Sequence, residues 1–150
     1  MPPCIRIREA RGGDAHALSA LISQLGYELD EKNTAARLEH YNNDRSAVFV
    51  AQRDSELIGF LSFHAIPLFH ENADLGRITA MAIREDCRRQ GVGRLLVQAA
   101  EEHAVSLHCS RLEVTSGDHR EHDAHLFYLA QGYCMDCRRF LKHLPSPGSL

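Results

Sequence analysis

Four things are missing from this chain, and each absence closes a class of function. No apolar run approaches the roughly 20 residues that a membrane helix needs. No charge of one sign dominates: the formal net charge is −3, so bulk electrostatics offers nothing to a nucleic acid. The opening Met1-Pro2-Pro3-Cys4-Ile5-Arg6 is no secretory signal. The five cysteines are an odd number without framework spacing, which points to reduced thiols and a cytoplasmic protein.

What is present is an ordinary globular composition. With 150 residues, 44% of them hydrophobic and 25% charged, the chain is long enough for one domain with a real core. That domain is expected over residues 1–144, with a flexible tail over 145–150, where Pro145-Ser146-Pro147-Gly148-Ser149 reads as frayed.

Periodicity supplies the elements. Ile5 and Ile7 alternate with Arg6 and Arg8 as a short strand. Asp14 then reads as the N-cap of a helix carrying Ala17, Leu18, Leu21, Ile22 and Leu25, ended by Gly26. A more polar helix is expected from Thr34 to Tyr41. The apolar runs 47–51 and 57–63 flank a polar hairpin at Asp54-Ser55. Strand four is expected at 77–83, a long helix from Val92, strand five at 112–115, a helix at 124–131 and a final strand from Tyr133 to Leu141. The order β-α-α-β-β-β-α-β-α-β predicts a mixed sheet with helices on both faces, an α/β or α+β fold.

Between strand four and the long helix stands Arg88-Arg89-Gln90-Gly91-Val92-Gly93-Arg94. Paired glycines let backbone N–H groups approach a ligand oxygen, and a helix N-terminus adds about half a positive charge there. This is an anion site suited to a phosphate. It is no P-loop, since the lysine and hydroxyl are missing, and no dinucleotide fingerprint, since the third glycine is missing.

The spacing Arg88-x-x-Gly91-x-Gly93 resembles motif A of the GNAT acetyltransferase superfamily. Ala124-His125-Leu126-Phe127-Tyr128, followed by Gly132-Tyr133, is similar to that family's tyrosine segment. The element order matches over nearly the whole chain. The resemblance implies one GNAT-like domain whose mostly antiparallel sheet splays between strands four and five. It also implies acetyl-CoA as cosubstrate, with Met81, Ala82 and Ile83 pairing with the pantetheine amides. The pyrophosphate would take the amides of Arg89, Gln90, Gly91, Val92, Gly93 and Arg94, with phosphate contacts from Arg88 and Arg94. A bland reading leaves these arginines on a solvated loop. Family members often dimerise, so a homodimer is an option.

Acetyl transfer to a small primary amine needs a proton for the departing thiolate and a base for the amine. The resemblance makes Tyr128 the general acid; an ordinary phenol, with a pKa of about 10, is protonated at neutral pH. The alternative is a core aromatic beside Phe127. Many relatives carry a glutamate near position 79, but Arg77-Ile78-Thr79-Ala80-Met81-Ala82-Ile83 holds no carboxylate. The base is therefore sought at His64, at His70 or Glu71 in the following loop, or in a water chain. Arg120 stands where many relatives have asparagine, which alters one expected cofactor contact.

His119, His122 and His125 are three apart, and Cys134 and Cys137 form a Cys-x-x-Cys. No second pair stands at finger-like spacing, so no metal is expected. Two other readings remain beside the enzyme: a non-catalytic acyl-CoA-binding sensor or interaction domain, and a metal-binding regulatory domain.

Overall fold

The computed structural model describes residues 4–115 and 122–147. Its contacts fall into two compact units, Met1–Thr115 and Ser116–Leu150. The first holds strands β1 (Ile5–Glu9), β2 (Ser46–Arg53), β3 (Glu56–Pro67), β4 (Asp74–Ile83) and β5 (Cys109–Val114). Its helices are α1 (Ala15–Gln24), α2 (Glu31–Glu39) and α3 (Val92–Ser106). The second unit holds α4 (His122–Ala130).

The strands lie in sequence order in one five-stranded sheet. Pairs β1–β2, β2–β3 and β3–β4 are antiparallel, whereas β4–β5 is parallel. The last pair has to be parallel in topology because α3 carries the chain back along the sheet before β5 begins. The β2–β3 hairpin turns through Asp54 in the left-handed region at φ 55°, which a tight hairpin requires and an aspartate tolerates.

Alternation along the strands gives each face its helix. Val50 on β2, Phe60 on β3 and Ala82 on β4 point to one face, where Leu18 and Leu21 of α1 bury against them. Phe49 and Phe63 point to the other and meet the edge of His103 on α3 at ring separations of 5.5 and 5.3 Å. Gly76 is where the sheet, α3 and β5 converge: a Cβ there would stand 2.9 Å from both Leu112 Cδ1 and Phe63 Cε2. The α3 stripe is Val92, Leu96, Val97, Ala100 and Ala104. Leu95, on the same helix, is exposed.

Three expectations need correction. Asp14 makes no side-chain cap bond to α1. Its carboxylate instead takes two bonds from Arg8, at 2.8 and 2.9 Å, and one from the Arg11 N–H at 2.7 Å. Helix α2 starts three residues earlier than Thr34, because Asp30 accepts from the Asn33 N–H and caps it. The expected final strand at Tyr133 to Leu141 is absent among the described residues, and Met135, Phe140 and Leu141 are exposed. Arg138 and Arg139 place charge on both faces of any strand drawn there, and no described strand pairs with it.

Candidate active site

Strand β4 is paired on one side along its whole length and on the other along only half. Its ladder with β5 runs from Asp74 to Ile78 and stops at Val114. Beside it, β3 and β4 carry an irregularity: Ser62 pairs with Ala80 and Phe63 with Ile78, leaving Thr79 as the extra residue of a bulge. A bulge bends its strand and raises the local twist, and it sits where β4 parts from β5.

The direction of the freed groups follows from the ladder. The Arg84 N–H donates to the Ile58 carbonyl at 2.7 Å, so Arg84 faces β3. Backbone groups alternate along a strand, so Ala82 also faces β3 while Met81 and Ile83 face the open side. Ala82, expected to share that edge with its neighbours, is therefore engaged by Phe60 across the ladder, and its side chain is buried.

Beyond β4 the chain makes one 3-10 turn, Glu85–Cys87, and reaches α3 through two left-handed residues, Arg89 at φ 63° and Gly91 at φ 82°. Alternating hand along the backbone gathers successive N–H groups into a concave nest for anions. Among the described residues, the N–H groups from Arg88 to Arg94 donate to no protein acceptor. A Cβ on Gly91 would meet nothing, so glycine serves conformation there and not space.

The loop is anchored from below. Arg53 on β2 donates to the Gln90 side chain at 2.9 Å and to the buried Cys87 sulfur at 3.1 Å. Arg84 pairs with Glu56 and Asp86. Arg88, Arg89 and Arg94 are exposed and make no ion pair with a described residue. Gln90 thus acts on the loop's shape through Arg53, and among the described residues three guanidinium groups around the nest have no acidic partner. The residues present fit a diphosphate: backbone donors, a concave backbone and exposed positive charge.

Of the three base candidates, the structure brings one near the opening. His64 lies inside β3, not at its end, two residues from the Ser62–Thr79 pair. It shares hydrogen bonds with Ser46 Oγ at 2.8 Å and Tyr41 Oη at 2.9 Å, and burial pushes its pKa below the usual value. Neither Tyr41 nor Ser46 carried any signal of this role in the sequence. Glu71 is bound by Arg111 at 2.8 and 3.3 Å, and Arg111 holds its carboxyl below the usual range. His70 stands 3.6 Å from Glu71. That loop meets β4 at Asp74, five residues from Thr79 and so roughly 17 Å along the strand.

In the second unit, Tyr128 packs edge-on to Phe127 and Tyr133 at ring separations of 5.1 and 5.8 Å. Gly132 ends α4 at φ 90°, and the Tyr133 N–H bonds back to the Tyr128 carbonyl at 3.0 Å. Arg120 and His119 lie outside the described residues. Cys134 and Cys137 are exposed free thiols.

A half-open parallel ladder beside an N-terminal amide nest marks an α/β fold whose geometry suits an extended, diphosphate-bearing ligand. The Acetyltransferase (GNAT) family model matches residues 16–133, and the chain belongs to that family. It is an acetyl-CoA-dependent N-acyltransferase. It is 31% identical over 153 aligned positions to an aminoalkylphosphonate N-acetyltransferase from Salmonella typhimurium, covering 96% of this chain and 94% of that one. A GNAT family acetyltransferase from Staphylococcus aureus superposes with a TM-score of 0.79 at 25% identity, covering 93% and 98%. An aminoglycoside N-acetyltransferase solved in complex with CoA shares the fold, with a TM-score of 0.85 at 16% identity over 97% and 98%.

Proposed function

We propose that this protein moves an acetyl group from acetyl-CoA to the primary amine of a small molecule by direct attack. The observation that carries this reading is the open edge of Met81 and Ile83 running into the undonated N–H groups from Arg88 to Arg94. Met81 and Ile83 receive the pantetheine amides as an edge receives an added strand. The amides of Arg89 to Arg94 hold the pyrophosphate, and Arg88 and Arg94 neutralise it. Bound acetyl-CoA supplies a thioester carbonyl that an amine can attack.

Tyr128 gives its phenolic proton to the departing sulfur. His64 takes the proton of the amine by way of the Tyr41 hydroxyl, with which it shares a hydrogen bond. Two things favour His64 over Glu71: partial burial lowers its pKa and so favours the neutral, proton-accepting form, and it lies on the same strand as Ser62 beside the opening. Glu71 is already committed to Arg111.

The Salmonella relative is named for aminoalkylphosphonates, and identity over nearly the whole of both chains supports a small aliphatic amine bearing an anionic group as acceptor. The test is thiol release from acetyl-CoA across a panel of aminoalkylphosphonates and the matching aminocarboxylates. Turnover with one series and roughly a hundredfold loss of kcat in Tyr128→Phe are expected. An unchanged rate in that variant at every pH removes Tyr128 from the mechanism, and CoA binding without turnover on any amine leaves only the binder reading.

A further inference from the structure

The open edge of β4 has a definite lower end, and one side chain makes it. Gln24 is the last residue of α1. Its amide nitrogen donates to the Ile83 carbonyl at 2.6 Å, and its amide oxygen accepts from the Glu85 N–H at 3.1 Å. An edge residue's carbonyl and the N–H two residues on are the pair that the N–H and C=O of one residue in a parallel neighbouring strand would satisfy. The Gln24 side-chain amide therefore stands in for the N–H and C=O of one residue of the missing partner strand. What stays available on that side is the Ile83 N–H and both backbone groups of Met81.

The placement has its own physical origin. Leu18 and Leu21 bury against Val50, Phe60 and Ala82, which fixes α1 across the strands. Gln24 follows Leu21 by one helical turn, so the docked face carries it to the edge of β4.

We propose that Gln24 is a positioning residue: it closes the open edge just past Ile83 and so sets the register in which the pantetheine arm pairs with Met81 and Ile83. This rests on the acetyl-CoA site proposed above. Without that stop, an extended ligand could pair two residues further along, and its reacting end would shift by one strand repeat, about 7 Å. The residue touches neither acyl group nor acceptor; it acts by removing competing pairing partners.

The experiment compares wild type, Gln24→Ala, Gln24→Met and Gln24→Glu by calorimetry with CoA and with ADP, which carries a diphosphate but no pantetheine. Gln24→Met keeps the side chain's bulk without its hydrogen bonds. Gln24→Glu keeps the acceptor for the Glu85 N–H but faces the Ile83 carbonyl with a carboxylate. Expected results are about a tenfold weaker CoA affinity in all three variants, the size of one lost hydrogen bond, and ADP affinity within about twofold of wild type. Amide exchange at Glu85 should speed up in the Ala and Met variants and stay slow in the Glu variant. The KM for acetyl-CoA should rise and that for the acceptor stay unchanged. Unchanged CoA affinity in every variant overturns the inference, and so does an equal loss for CoA and ADP, which would mark a general loosening of the loop. Wild type that binds neither ligand overturns the acetyl-CoA site itself.

Discussion

The hydroxyls of Ser62 and Thr79 lie 2.7 Å apart across β3 and β4, at the bulge where β4 parts from β5. Ser62 is buried at 7% exposure while Thr79 is exposed, so the pair joins the core to the opening. Thr79→Val keeps the shape and removes Ser62's partner, and should lower stability by about 1 kcal/mol. Replacing both, as Ser62→Ala with Thr79→Val, should cost less than the single change, because no buried hydroxyl is then left alone. Urea midpoints of the two variants decide it.

Two glycines should fail in different ways. Gly91→Ala forces an alanine to φ 82° with nothing near its Cβ, a penalty of roughly 1–2 kcal/mol. The chain can escape it by reshaping the loop, so CoA affinity should drop at least about tenfold while the thermal midpoint barely moves. Gly76→Ala has no such escape, because its Cβ would press on Leu112 and Phe63 at 2.9 Å. It should lose about 1–3 kcal/mol of stability to overpacking. Calorimetric titration and melting curves on the same pair of proteins separate the two.

Arg8 and Asp14 form a pair whose side chains are 13% and 11% exposed. Hydrogen bonds from Arg8 hold the Asp14 carboxyl below the usual carboxylate range. A lowered folded value means the folded state binds protons less readily than the unfolded chain. The stabilisation is present above the unfolded pKa of about 3.9 and is lost as pH falls through the lower folded value. Asp14→Ala strands a largely buried guanidinium and should cost about 3 kcal/mol at neutral pH. Its stability should also decline less steeply than wild type below about pH 4; equal slopes would deny the pair this role.

His64 should titrate below the ordinary histidine value of about 6.5, since burial disfavours its charged form. It thus contributes stability above that value which is lost as pH falls through its lower folded pKa. Following the imidazole signal by NMR gives the midpoint directly. Tyr41→Phe removes the 2.9 Å partner of Nε2, so if Tyr41 links the amine to His64, kcat/KM should fall about a hundredfold near neutral pH with acetyl-CoA KM unchanged.

Much of this was legible in the chain. Gly91 reads as the start of α3 and does take the left-handed turn that only glycine accepts easily. The apolar runs at 47–51 and 57–63 read as a hairpin and pair as one. Local features of this kind are written in consecutive residues, because a turn or a helix start is decided within a few positions.

Other features carry no local mark. The apolar spacing of α2 marks a helix only from Thr34, whereas the Asp30 cap that starts it lies outside that spacing. Tyr133 to Leu141 reads as a strand by its place at the end of the element order, yet strands exist through partners, and partners are not in the segment itself.

The sequence by itself determined the elements as far as α4, their order and the glycine turn that opens α3, since each depends on neighbours a turn apart. Only the tertiary structure decided where β4 opens, which of Met81, Ala82 and Ile83 face that opening, and that Gln24 closes it. Those contacts join residues up to 61 positions apart, and a hydrogen bond across such a span leaves no periodicity to read.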